Sequence, residues 1–165
     1  MSASVSRIAV FPGTFDPLTL GHENIARRAA ALFDTLFFAI ADSPKKRTLF
    51  SLAERIALAK DALADVDNLQ VVGFSGLLVE LMAEREANIL VRGVRSHTDF
   101  DYESQLDGLY RQLNPAIETV LLLPREPVQF ISSTQVREIA RLAGRLDPFV
   151  SPGVAAALSR LDFSD

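Results

Sequence analysis

The chain has 165 residues, 48% apolar and 23% charged, which is enough for a substantial core at ordinary globular proportions. Its net charge of −4 argues against a general nucleic-acid binder, and the lack of cysteine excludes disulfides and thiolate metal sites. No apolar run approaches a membrane span and the first residues lack a basic region followed by an apolar core, so a cytoplasmic location without membrane or nucleic-acid partners is expected.

Strand-like runs fall at 7–11, 35–41, 69–74, 89–91 and 119–123. Several are continuously apolar, as strands covered on both faces are. Helical patterns lie between them, at 23–33, 52–63, 77–87 and 100–113. Ser132 with Gln135 fits a capping box that opens a fifth helix, and a short last helix is expected over 154–161. This alternation predicts an α/β fold, one parallel sheet doubly wound with helices, in a single domain spanning 1–165. The G-x-G-x-x-G fingerprint and the P-loop are both absent, so phosphates need another holder.

The stretch Pro12-Gly13-Thr14-Phe15-Asp16-Pro17-Leu18-Thr19-Leu20-Gly21-His22 leaves the first strand and enters the first helix. Ligands of open parallel sheets bind at such carboxyl ends, and a helix N-terminus suits a phosphate. Thr19 and His22, three residues apart, share a face in a first helical turn and can both donate hydrogen bonds to phosphate oxygens.

Four other stretches follow strands. The cations Lys45-Lys46-Arg47 fit a solvated loop or an anion site. Ser75-Gly76-Leu77-Leu78 opens a helix, where core and pocket wall are compatible roles. Arg92-Gly93-Val94-Arg95 fits surface arginines paired with Asp99 or Asp101 as well as a binding site, and His97 reads as an exposed loop residue. Phe130-Ile131-Ser132-Ser133-Thr134 fits a capped helix start that can also hold a polyphosphate.

Taken together, these strings resemble the bacterial phosphopantetheine adenylyltransferases. Thr19-Leu20-Gly21-His22 resembles the T-x-G-H signature of the nucleotidylyltransferase superfamily, and Ser43 to Phe50 resembles the family's S-P-x-K-x-x-x-F segment. The run from Arg92 to Glu103 and the string from Ile131 to Arg137 match two further motifs. The resemblance covers nearly the whole chain. It implies a Rossmann-like nucleotidylyltransferase fold and transfer of the adenylyl group of ATP to 4′-phosphopantetheine, giving dephospho-coenzyme A and pyrophosphate. It implies His22 and Lys46 as catalytic residues, and Thr14, Lys46, Leu78 and Arg92 as contacts of phosphopantetheine. For ATP it implies Thr14, Phe15, His22, Gly93, Val94, Arg95, Glu103, Val128, Gln129, Phe130, Ile131, Ser132, Ser133 and Thr134. Many relatives carry an aromatic residue and then serine where this chain has Val128-Gln129, so backbone contacts rather than stacking are expected there. The resemblance further implies a homohexamer and coenzyme A as feedback ligand.

The acceptor phosphate is anionic near neutral pH and needs no general base, so the protein must supply alignment and charge stabilisation for in-line attack. Mg2+ is expected to travel with ATP, since no carboxylate cluster forms a metal cage; no other protein-bound metal is expected. A covalent intermediate is not expected, as no activated nucleophile is evident. Two rival readings are the same chemistry on another acceptor, which an acceptor panel separates, and a nucleotide- or coenzyme-A-binding regulatory module without turnover. A pyrophosphate-release assay separates the latter.

Overall fold

In the computed structural model, residues 6–42 and 47–163 are described. Five strands form one sheet: β1 (Ile8–Gly13), β2 (Thr35–Ala41), β3 (Leu69–Phe74), β4 (Ile89–Gly93) and β5 (Glu118–Leu122). Their order is β3-β2-β1-β4-β5 and every pairing is parallel. The helices are α1 (Leu20–Leu32), α2 (Leu52–Ala62), α3 (Leu78–Glu84), α4 (His97–Leu113), α5 (Ser133–Arg141) and α6 (Pro152–Leu158). The doubly wound α/β class expected from the sequence is therefore the one observed.

Successive strand side chains point to opposite faces, so an apolar run builds two cores at once. On one face Phe11, Leu36, Phe38 and Ile40 pack with Ile25 of α1, Ala59 of α2, Val136 of α5 and Val154 of α6. On the other, Val10, Phe37, Ala39 and Leu90 pack with Leu78, Leu81 and Met82 of α3. Phe38 and Leu36 are fully buried, and each such side chain contributes roughly 1.5–3 kcal/mol through removal from water.

Element ends differ from the sequence reading where caps decide. α1 starts at Leu20 rather than 23 because Thr19 caps it. α4 starts at His97 rather than 100 because the Ser96 hydroxyl accepts the Asp99 amide N–H at 3.2 Å. His97 is thus exposed, as expected, but is the first residue of a helix rather than part of a loop. α3 stops at Glu84, three residues early, as Arg85 caps it and Glu86 takes φ of 53° before β4.

The chain moves outward from β1 through β2 to β3, then returns to the other side of β1 for β4 and β5. The winding reverses between β1 and β4, which leaves a crevice at their carboxyl ends.

Candidate active site

That crevice holds a cavity of about 320 Å³, the size of a small-molecule site. Gly13, Thr14 and Phe15 line it from the end of β1, Arg92 and Gly93 from the end of β4. His22 enters from α1, Glu103 from α4, and Ile131 to Thr134 from the start of α5.

His22 is fixed by the first turn of its own helix. The Thr19 amide N–H donates to His22 Nδ1 at 3.1 Å, and Thr19 Oγ1 lies 3.0 Å from the same nitrogen. In return the His22 amide donates to Thr19 Oγ1 at 3.4 Å, which completes a capping box. Because Nδ1 accepts an amide proton, the neutral ring carries its own proton on Nε2. Burial first, then the positive charges of Arg95 and Arg92, lower the His22 pKa from 6.5 to about 4. The ring is therefore neutral around pH 7 and available as an Nε2–H donor. Thr19 does not share that role, contrary to expectation: it is fully buried and its hydroxyl is committed to His22.

Phe15 holds His22 from the other side, edge to face at a centroid separation of 5.0 Å. Phe15 itself stacks on Phe38 at 4.1 Å. A Cβ on Gly13 would stand 2.7 Å from the Phe15 ring, which explains glycine at that position. A Cβ on Gly21 would stand 3.1 Å from the Val128 carbonyl oxygen, so Gly21 lets α1 approach the segment ahead of α5. The Leu20 amide donates to the Phe149 carbonyl at 2.9 Å, which ties the start of α1 to the segment ahead of α6.

Arg92 pairs with Glu103 through two bonds of 2.7 Å and donates a third, of 3.0 Å, to the Pro12 carbonyl. Arg95 holds Asp99, through its backbone N–H at 3.0 Å and its Nε at 3.3 Å. At α5, Ser132 and Gln135 form the expected capping box. The Ser133 hydroxyl donates to the Pro17 carbonyl at 2.8 Å, and Arg137 donates to the Asp16 carbonyl at 2.6 Å. These bonds commit both serine hydroxyls, and the capping box also takes the Ser132 and Gln135 amides, which leaves the Ser133 and Thr134 N–H groups at the helix start.

A family model described as cytidylyltransferase-like matches residues 10–139. A phosphopantetheine adenylyltransferase of Acidovorax sp. (strain JS42) is 56% identical over 147 residues, 89% of each chain. One from Thiobacillus denitrificans is 51% identical over 151 residues, 92% of this chain and 94% of its own. The chain belongs to the phosphopantetheine adenylyltransferases. A solved Vibrio parahaemolyticus structure, provisionally assigned as a nicotinate-nucleotide adenylyltransferase, superposes with a TM-score of 0.72. It covers 94% of this chain and 100% of its own at 18% identity, which speaks to the fold alone.

Of the adenylyltransferase residues expected from the sequence, Thr14, Phe15, His22, Arg92, Gly93, Arg95, Glu103, Ile131, Ser132, Ser133 and Thr134 line this same cavity. Lys46 lies outside the described residues. Leu78 is buried against Leu81 and Met82 on the opposite face of the sheet. Val94 is buried beside the cavity, its amide donating to the Leu122 carbonyl at 3.0 Å. Val128 and Gln129 are half-buried and Phe130 is exposed; none of the three lines the cavity wall.

Sequence reasoning missed the buried polar groups behind the wall. The Asp16 carboxylate accepts the Leu49 and Phe50 amides at 2.7 and 3.0 Å. Arg55, on α2, reaches two carbonyls at the ends of β1 and β2 and a third, of Phe50, just ahead of its own helix. The available signal was a cation at Arg55 on the apolar stripe of Leu52, Ile56 and Ala59.

Proposed function

We propose that this chain transfers the adenylyl group of ATP to 4′-phosphopantetheine by direct in-line displacement, with His22 stabilising the transition state through Nε2–H. The observation that carries this reading is the Thr19–His22 capping box, which sets the ring's tautomer and points to one free donor on a cavity-lining side chain. A phosphate oxygen of the acceptor attacks the α-phosphorus of ATP. The bond to the bridging oxygen breaks, and pyrophosphate leaves with that electron pair. No proton need be removed from the attacking group, since a phosphomonoester loses its second proton at about pH 6. Catalysis is then alignment and electrostatic stabilisation, the logic of other phosphoryl transfers.

Arg92 is assigned to the acceptor phosphate. Three of its five N–H groups are engaged by Glu103 and Pro12, which leaves one on each terminal nitrogen. Arg95 and the free amides at the start of α5 are assigned to the polyphosphate. Lys46 is assigned to both phosphates on family likeness, and Leu78 to the pantetheine arm. Gly93, Val94 and Val128 to Phe130 are assigned to the nucleotide through backbone contacts.

The cavity does not fit a protein-held magnesium ion, because its two carboxylates, Asp99 and Glu103, are each paired with an arginine. Magnesium is accordingly assigned to the substrate, as Mg–ATP. Coenzyme A shares the pantetheine arm of the acceptor and would compete for the same cavity, which supports its assignment as feedback ligand. A homohexamer is assigned on family likeness, supported by the exposed apolar side chains Leu109, Leu113 and Leu123. A cytoplasmic location completes the reading; among the described residues no helix is long and apolar enough to cross a membrane.

The test is pyrophosphate release from Mg–ATP with 4′-phosphopantetheine, against nicotinate mononucleotide and a sugar phosphate as acceptors. Release that requires 4′-phosphopantetheine is expected. Release with another acceptor alone, or none, overturns the reading.

A further inference from the structure

We propose that Arg55 is a positioning residue of the adenylyl transfer: its guanidinium fixes the diverging ends of β1 and β2 and thereby the placement of Thr14, Phe15 and His22. The proposal rests on the reaction assigned above.

Pairing of β1 with β2 ends at Gly13 and Ile40. Thr14 and Ala41 stand one residue beyond that register. Arg55 Nη1 donates to both of their carbonyls, at 2.7 and 2.9 Å. The two hydrogens of one nitrogen therefore replace the rungs the sheet has lost. Arg55 Nε donates at 3.2 Å to the Phe50 carbonyl. The same residue, Phe50, gives its amide to the Asp16 carboxylate at 3.0 Å. A buried cation and a buried anion thus grip opposite ends of residue 50, and the anion belongs to the loop that carries Thr14 and Phe15.

Arg55 is only 3% exposed, and among the described residues no ion pair involves it. A buried guanidinium held by neutral carbonyls is costly to desolvate, and apolar side chains would fill the position more cheaply. Its three bonds all end on strand exits or on the Asp16-bound segment, and Arg55 itself does not line the cavity. Lysine lacks the planar fork needed to satisfy three carbonyls in fixed directions. The link from these bonds to chemistry runs through Phe15, whose ring packs on both Phe38 and His22. Releasing the Thr14 carbonyl frees the Phe15 backbone, which already holds a φ of 49°. A loosened Phe15 no longer fixes the His22 ring.

The experiment compares Arg55→Lys and Arg55→Met with the full-length parent. The readouts are kcat and KM per folded molecule, and amide hydrogen exchange. Arg55→Lys is expected to fold, to lose at least about tenfold in kcat, and to keep its KM for ATP within about threefold. Exchange is expected to rise at Phe15 and Phe50 in both variants and to stay unchanged within α1. Wild-type kcat in folded Arg55→Lys overturns the proposal. So does an activity loss that only tracks the folded fraction, as a structural role would give. A parent chain that releases no pyrophosphate overturns the reaction instead. The positional claim then stands or falls on exchange alone: unchanged protection at Phe15 and Phe50 overturns it.

Discussion

Arg92 and Glu103 meet through two parallel bonds of 2.7 Å, so the arginine reaches the cavity already held against a buried carboxylate. Eleven residues separate them, and only the start of α4 at His97 brings the carboxylate level with the end of β4. Arg92→Ala removes the cation proposed for the acceptor phosphate and strands Glu103. We expect a stability loss of about 3 kcal/mol, as for a broken buried pair. Acceptor affinity should fall by about 1.5–3 kcal/mol, the worth of a charge-assisted bond, and ATP affinity by less. Calorimetric titration with each substrate checks this; equal losses would remove Arg92 from the acceptor.

His22→Ala should lower kcat by roughly 10²–10³, the loss seen for one preorganised donor. ATP affinity measured by direct titration should hold. The alanine also loses the bond to the Thr19 amide, at a cost of about 0.5–1 kcal/mol of stability. Glutamine suits this third helical position of a capping box, so His22→Gln should keep the cap, an N–H donor and more of the activity. Near-wild-type turnover in His22→Ala would falsify the mechanism.

The depressed His22 pKa makes stability depend on pH with a definite sign. The unfolded ring takes up a proton near 6.5, the folded ring only near about 4. Its contribution is complete above 6.5 and is lost as pH falls toward 4, by at most about 3 kcal/mol. Urea unfolding at pH 7.5 and 4.5 should show a larger acid loss for the parent than for His22→Gln; parallel losses contradict the assignment. Turnover should follow a different group. Its acid limb should lie near pH 6, at the acceptor phosphate, and persist in His22→Gln.

Ser132→Ala tests whether the α5 hydroxyl binds ATP or caps the helix. Ser132 Oγ accepts the Gln135 amide at 3.2 Å and donates to its side chain at 2.9 Å. Thermal unfolding should report a loss of about 0.5–2 kcal/mol. KM for ATP should rise only through the loosened helix start, and by less than in Arg95→Ala. The reverse order would make the hydroxyl a direct ligand.

Gly21→Ala sets two effects against each other. Alanine gains roughly 1 kcal/mol of helix propensity, yet its Cβ meets the Val128 carbonyl at 3.1 Å. The contact is backbone and must move, so we expect weaker ATP binding with little change in melting temperature. Unchanged ATP affinity would show that the 128–131 segment yields without consequence.

Much of this was legible in the sequence. The continuous runs of β2 and β1 revealed strands buried on both faces, and the string from Pro12 to His22 located the crevice. Two things were not legible, each for a physical reason. The first turn of α4, Ser96 to Asp99, is polar and carries no apolar period; only its cap marks it. Asp99 and Asp101 therefore stood as partners for both arginines, and Glu103 was left to ATP. Arg55 escaped because its partners are carbonyls of Thr14 and Ala41, and carbonyls carry no residue identity. Side chains that bind backbone leave no complementary signal in sequence.

The bond from the Leu20 amide to the Phe149 carbonyl joins residues 129 positions apart in sequence. Synthesis proceeds from the N-terminus, so the helix bearing His22 emerges long before the oxygen that satisfies its first amide. A nascent chain stopped short of Phe149 holds every cavity-lining residue and still lacks that tether. Assembly of the turn that carries His22 is thus a late event, completed by a residue outside the cavity wall. Chains ending at Gly144 should therefore exchange the Leu20 amide rapidly, whatever their strand content.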